Sequence, residues 1–184
     1  MSPVAVRRAS TTELTTLEIE AIRSLLWAAF ADDEEGGFGE DDWQHALGGV
    51  HVVAEADGEI VAHAAVVERE IHVAGRLLRT GYVEAVATLP SRQRQGVGTA
   101  VMGEVNAIVR DGFELGALGT GSHEFYERLG WERWHGPSFV RTRDGGERRT
   151  PDEDGYILVL LTPTTPPISL DAPISCEWRP GDVW

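Results

Sequence analysis

The sequence predicts an α/β (α+β) fold, a single domain with a central mixed, mostly antiparallel sheet flanked by helices. Three observations carry this reading. Two β-rich runs, His51 to Ala56 and Glu59 to Glu68, meet at Asp57-Gly58, a strong hairpin signal. Tyr82 to Leu89, rich in β-branched and aromatic residues, reads as a strand and is followed by a glycine loop and an amphipathic helix. Phe113 to Leu118 is a further strand beyond that helix, and a helical crossover should set it parallel to its predecessor.

The other elements follow in order. Val4 to Arg8 is a short first strand. Ser10-Thr-Thr-Glu13 has capping-box spacing, and Leu14, Leu17, Ile22, Leu25, Leu26 and Phe30 give a helical stripe ending near Phe30. Asp32 to Asp42 is a glycine-interrupted acidic loop. It reads equally as a solvated loop that N-caps a short helix from Asp42 to Leu47, or as an electronegative lip on a cation site. Ala74-Gly75 turns the chain into the strand Leu77 to Thr88. Ser122 is placed to cap a short helix from His123 to Leu129. Trp131 to Val140 is a strand, 141 to 154 is loop-like, and Tyr156 to Leu161 is the last full strand before a Pro-rich segment and tail.

A chain of 184 residues can bury most of its surface as one domain. Its one cysteine, Cys176, excludes an internal disulfide and fits a reducing cytosol. The N-terminus lacks the apolar core of a signal peptide and no run is long enough to span a membrane, so a cytoplasmic location is expected. The formal net charge of −14, with Arg as the only strong base, argues against a nucleic-acid partner. It fits either an acidic proteome or a polycationic substrate.

The loop Gln93-Arg94-Gln95-Gly96-Val97-Gly98 stands between strand and helix. Glycines admit a close backbone approach, and a helix N-terminus offers free N–H groups and a positive dipole end, so this is an anion site suited to a phosphate or pyrophosphate. Arg92 and Arg94 would add charge. A P-loop is excluded because no Lys follows the second glycine, and a dinucleotide fingerprint because Ala100 stands where a third glycine is needed. The spacing instead resembles motif A of the GNAT acyltransferases, and Phe125-Tyr126 with Gly130-Trp131 resembles the segment around that family's catalytic tyrosine. Leu78 to Ala87, Gly130 to Pro137, Arg149 to Asp152 and the closing Cys176 to Trp184 are similar to the aminoglycoside 2'-N-acetyltransferases of that superfamily.

The resemblance implies acetyl-CoA as co-substrate, no metal, an aminoglycoside amine as acceptor, a role in antibiotic resistance, and a homodimer. Glu84 would act as base through a water, or would only bind the substrate ammonium; Tyr126 would be the acid that protonates the CoA sulfur. The Val86 N–H would polarise the acetyl carbonyl; Val86, Ala87 and Thr88 would line the pantetheine, and Gln93, Arg94, Gln95, Gly96, Val97 and Gly98 would hold the pyrophosphate. The acceptor would meet Glu84, Ala85, Asp42, Gly119, Asp152, Glu153, Asp182 and Trp184, residues 163–184 forming a tail that completes its site. A docked tail would place the Trp184 α-carboxylate; a frayed one would not.

Three departures stand out. Gly37 occupies the place of an acidic residue before Phe38, with Glu35, Asp41 or Asp42 as substitutes; the stretch from Leu118 to Tyr126 is two residues short; Gly119 replaces a serine. The six histidines have no metal-site spacing, and packing explains those on strands. Two other functions fit less well: acetylation of a polyamine, amino sugar or protein amine, and a non-catalytic acetyl-CoA sensor.

Overall fold

The computed structural model describes residues 3–31 and 37–184. Asp32 to Gly36, the first part of the acidic loop with Glu35, lies outside the described residues. The chain divides into two compact units, residues 1–67 with 83–105, and residues 68–82 with 106–184.

In the first unit β1 (Ala5–Ser10) runs antiparallel to β2 (Val50–Ala56), and β2 to β3 (Glu59–Val73). Asp57 and Gly58 join β2 to β3 with φ of +55° and +80°, and beyond this unit Ala74 and Gly75 follow β3 at +49° and +79°. Paired positive angles are the two-residue hairpin geometry that Asp-Gly favours. α1 (Thr16–Ala29) buries Ile22, Leu25 and Leu26. Its cap is Thr15, which exchanges backbone-to-side-chain bonds with Glu18 at 3.3 and 2.7 Å. The expected Ser10–Glu13 box closes a separate 3₁₀ turn, Thr11–Glu13. Leu17 does not join the stripe; it lies about 140° from Ile22 at 3.6 residues per turn and is 77% exposed. α2 (Glu40–His45) starts two residues before Asp42, because Asp42 Oδ2 accepts the Gly39 N–H at 2.7 Å from the third helical position. β4 (Arg76–Thr88) contributes its second half here and runs into a 3₁₀ turn, Pro90–Arg92. α3 (Val97–Gly112) then begins, two residues earlier than expected.

In the second unit the first half of β4 pairs in parallel with β5 (Leu115–Gly119), as the crossover requires, from Thr80–Leu115 to Tyr82–Ala117. β5 is antiparallel to β9 (Ile157–Leu161), and a short α4 (His123–Glu127) follows β5. The single strand expected over Trp131 to Val140 is two. β6 (Glu132–Arg133) lies on β9, and β7 (Ser138–Arg141) pairs elsewhere. Between them the N–H groups of His135 and Gly136 both reach Leu170 O, at 2.9 and 3.0 Å. The approach is so close that a Cβ on Gly136 would lie 2.0 Å from Ala172 O. The presumed loop 141–154 contains β8 (Glu147–Arg149), hairpinned onto β7. Nor is β9 the last strand: β10 (Ile174–Glu177) pairs antiparallel with β3 and parallel with β7. The sheet order is β6-β9-β5-β4-β3-β10-β7-β8. Its core holds Ile71, Leu78, Leu115, Trp131, Trp134 and Leu158, all fully buried.

Candidate functional site

In the first unit β4 leaves regular strand geometry where the chemistry was expected. Glu84, Ala85 and Val86 are half-buried, and Ala85 has φ of +51°. A left-handed residue with a side chain costs about 1–2 kcal/mol, so its neighbours must hold it there. One of them is His63, whose Nδ1 lies 2.8 Å from the Ala85 carbonyl oxygen. Ala87 is buried and Thr88 half-buried beyond it.

The glycine loop is built from two more left-handed residues, Arg94 at +58° and Gly96 at +82°. Gly96 O accepts the first helical bond, from Ala100 N at 3.0 Å, and Val97 is buried and pins the helix start. The first-turn N–H groups of Val97, Gly98 and Thr99 have no intrahelical acceptor and are the donors such a site requires. Gly98 is therefore part of the helix and not of the loop. The glutamines brace the loop from within: Gln93 donates to Thr88 O at 3.4 Å and Gln95 to Ser91 O at 2.8 Å. Arg92 pairs with Asp57 at 2.9 Å, while Arg94 is exposed on the loop. Asp42, with one oxygen on Gly39, takes the capping role.

In the second unit the tail is docked. Trp184 is 5% exposed, and its indole N–H donates to Thr150 Oγ1 at 3.1 Å. Buried Arg69 donates to the carbonyls of Glu177 and Val183 at 3.1 and 2.9 Å and pairs with the Glu177 carboxylate at 3.1 Å. Arg179 reaches Asp182 O and Trp184 O at 2.7 and 3.3 Å. Both guanidiniums lie on the Tyr82 ring, 4.6 and 5.5 Å from its centroid, where the π-face attracts a cation. Asp182 Oδ1 accepts the Trp184 N–H at 3.2 Å. A Cβ built on Gly119 would touch Trp184 C at 3.6 Å and the Tyr82 hydroxyl at 3.7 Å. Tail, Gly119 and Tyr82 therefore meet. Asp152 and Glu153 occupy a 3₁₀ turn beside Thr150. Their neighbour Asp154 is structural: hydrogen bonding from Arg149, and then from Ser138, brings its carboxyl down to about 2.

Tyr126, on α4, is 7% exposed and edge-on to Phe125 and Trp131 at 5.0 and 6.3 Å. Burial pushes its phenol up to about 12, so it carries its proton at neutral pH. Cys176 is buried and donates to Val183 O at 3.2 Å; burial raises its thiol to about 11, as befits a structural residue. Sequence reasoning missed Arg69, Tyr82, Thr150 and Arg179, and the buried pair His51–His63. Tyr82, Thr150 and Arg179 stand in runs that carry the family likeness, whereas Arg69 lies between Glu68 and Glu70 and reads as an exposed charge.

Residues 10–134 match the acetyltransferase (GNAT) domain. The chain belongs to the GNAT acetyltransferases. It is 40% identical over 182 residues to an aminoglycoside 2'-N-acetyltransferase of Mycolicibacterium fortuitum, covering 97% of this chain and 91% of that one. The GNAT fold is shared with YhbS of Escherichia coli solved with CoA, at TM-score 0.66 and 18% identity over 97% of this chain and 91% of that one. It is also shared with a Brucella melitensis GNAT acetyltransferase solved with acetyl-CoA, at TM-score 0.62 and 19% identity over 95% and 96%. The chain spans 34% of a longer GCN5-related N-acetyltransferase from Kribbella flavida, at TM-score 0.59 and 20% identity over 74% of this chain. This GNAT protein is an acetyl-CoA-dependent N-acetyltransferase. Among the described residues no group of three or more His, Cys, Asp or Glu is placed to hold a metal, and no helix is long and apolar enough to cross a membrane.

Proposed function

We propose that this enzyme acetylates the 2'-amine of aminoglycosides and so confers resistance to them. The observation that carries the reading is the docked tail: Cys176 to Trp184, the most specific part of the family likeness, is held by Arg69, Arg179 and Thr150 against Gly119. The named activity of the 40% identical relative supports the same acceptor.

Acetyl-CoA binds with its pyrophosphate on Gln93 to Gly98 and its pantetheine along Val86, Ala87 and Thr88. The acceptor's ammonium groups are taken by Glu84, Asp42, Asp152, Glu153 and Asp182, with Ala85, Gly119 and Trp184 shaping the site. Residues 163–184 complete it. Glu84 removes a proton through a water, the neutral amine attacks the thioester carbon, and the Val86 N–H stabilises the oxygen as it gains charge. Collapse expels the CoA thiolate, to which Tyr126 gives a proton, and the proton shed by the former amine nitrogen as the amide forms returns through solvent to the phenolate. A homodimer in the cytoplasm is the setting the family likeness supports.

The test is thiol release from acetyl-CoA with kanamycin B and kanamycin A side by side. The first has a 2'-amine, the second a 2'-hydroxyl, and both have a 6'-amine. Turnover of kanamycin B alone is expected. Equal turnover of both moves the chemistry to another amine; turnover of neither points to a polyamine, another amine or a sensor.

A further inference from the structure

Four hydrogen bonds cross the first unit in one line. The Gly48 N–H lies 2.9 Å from Thr11 Oγ1, Thr11 Oγ1 lies 2.8 Å from His51 Nε2, His51 Nδ1 lies 2.9 Å from His63 Nε2, and His63 Nδ1 lies 2.8 Å from Ala85 O. Both rings are fully buried.

The ends of this line fix its direction. A carbonyl can only accept, so His63 must carry its proton on Nδ1 and accept at Nε2. His51 must then donate from Nδ1 and accept at Nε2, which obliges the Thr11 hydroxyl to donate. At the far end Gly48 N–H can only donate, and the Thr11 oxygen is free to receive it. Every bond is satisfied by one arrangement, with both rings neutral. Burial keeps them so, lowering His51 to about 4 and His63 to about 3.

The last bond falls on a peptide with a second face. Ala85 C=O and Val86 N–H belong to one planar trans unit, in which they point in opposite directions. Fixing the oxygen toward His63 fixes the N–H away from it. The strained φ of Ala85 makes this orientation one that must be held.

We propose that His63, backed by His51 and Thr11, is a positioning residue for acetyl transfer, holding the Ala85–Val86 peptide so that the Val86 N–H faces the acetyl carbonyl. This rests on the reading of Val86 as the carbonyl's donor. His63 touches neither substrate nor reacting atoms. Asparagine places an amide N–H near the position of the imidazole Nδ1, so His63→Asn keeps a donor for Ala85 O, whereas His63→Phe fills the space without one.

The experiment compares native enzyme, His63→Asn and His63→Phe with acetyl-CoA and kanamycin B, alongside infrared spectra of bound acetyl-CoA labelled with ¹³C at the thioester carbonyl. His63→Phe is expected to lose kcat by about tenfold or more, with the acetyl-CoA KM changed by less than about threefold; His63→Asn recovers most of the loss. The carbonyl band is expected to shift down in the native enzyme, partly back in His63→Phe, and little in His63→Asn. A native band at its solution frequency overturns the Val86 reading and this proposal with it. A native shift that persists in full in His63→Phe, with kcat intact, overturns the role of His63 alone. Should the Phe variant not fold, ¹⁵N NMR of the native protein decides: His63 protonated on Nδ1 is expected, and protonation on Nε2 alone refutes the line.

Discussion

The phenol of Tyr126 sits between Phe125 and Trp131 with its pKa pushed up to about 12 by burial. A thiol in water has a pKa of about 8.5, so full transfer from this phenol to a hydrated thiolate runs uphill. In the proposed mechanism the proton would move only as the thiolate forms in surroundings that desolvate it too, where the hydrogen bond forms first. Tyr126→Phe is expected to lower kcat by about a hundredfold, with the acetyl-CoA KM nearly unchanged, in steady-state assays. A loss smaller than threefold would assign the residue to packing alone. The place of Tyr126 on a short helix and the left-handed Gly96 before α3 were legible in the sequence, because strand, glycine loop and helix follow one another there. Ala85 was not, since alanine gives no sign of a left-handed φ. His51 and His63 were equally silent: they stand on different strands, and nothing in either strand's own residues says that the two rings meet.

At the scale of elements, hairpins and crossover were the readable parts. Asp57-Gly58 carries its turn geometry in its residues, Gly75 marks the second turn, and the 97–112 helix forces β4 and β5 to be parallel. The division of Trp131 to Val140 was hidden, because it depends on Leu170 and Ala172 arriving from elsewhere in the chain to meet Gly136. β10 was hidden for the same reason; four residues beside prolines have no strand signal until β3 and β7 flank them. The tail yields its own prediction. Trp184→Ala removes a buried indole and its bond to Thr150, an anchor worth about 3–5 kcal/mol in a core. Kanamycin B KM should rise about tenfold or more, while acetyl-CoA KM stays within about twofold. An unchanged acceptor KM, in protein shown to be folded by circular dichroism, would detach the tail from the acceptor site.

For the whole molecule, net charge argued against a nucleic-acid partner but named no reaction, and the family was legible only because several short motifs recur in order. Stability against pH belongs at this scale, because it sums over groups. His51 and His63 are held neutral with pKa values near 4 and 3, below the value of about 6.5 in an unfolded chain. Protons therefore bind the unfolded chain first, so stability is complete above a pH of about 6.5 and drains away as pH falls toward those values. Asp154, held down to about 2, adds a loss in the same direction below about 3.8. Tm should fall between about pH 7.5 and 5 in the native protein and fall less in the double variant His51→Asn, His63→Asn. A native Tm flat across that range would contradict the neutral pair. The placement of β10 bears on synthesis as well. Ribosomes add about 5–20 residues per second, so the roughly 36 residues from the end of β7 to the end of β10 take about 2 to 7 seconds to appear. Until β10 arrives, β3 and β7 have no strand between them, and the peptide groups it will pair, four residues of β7 and the last two of β3, stay open to any neighbour. On a crowded polysome those two edges are where misassembly between sister chains would begin, and where a holding chaperone has its few seconds to act.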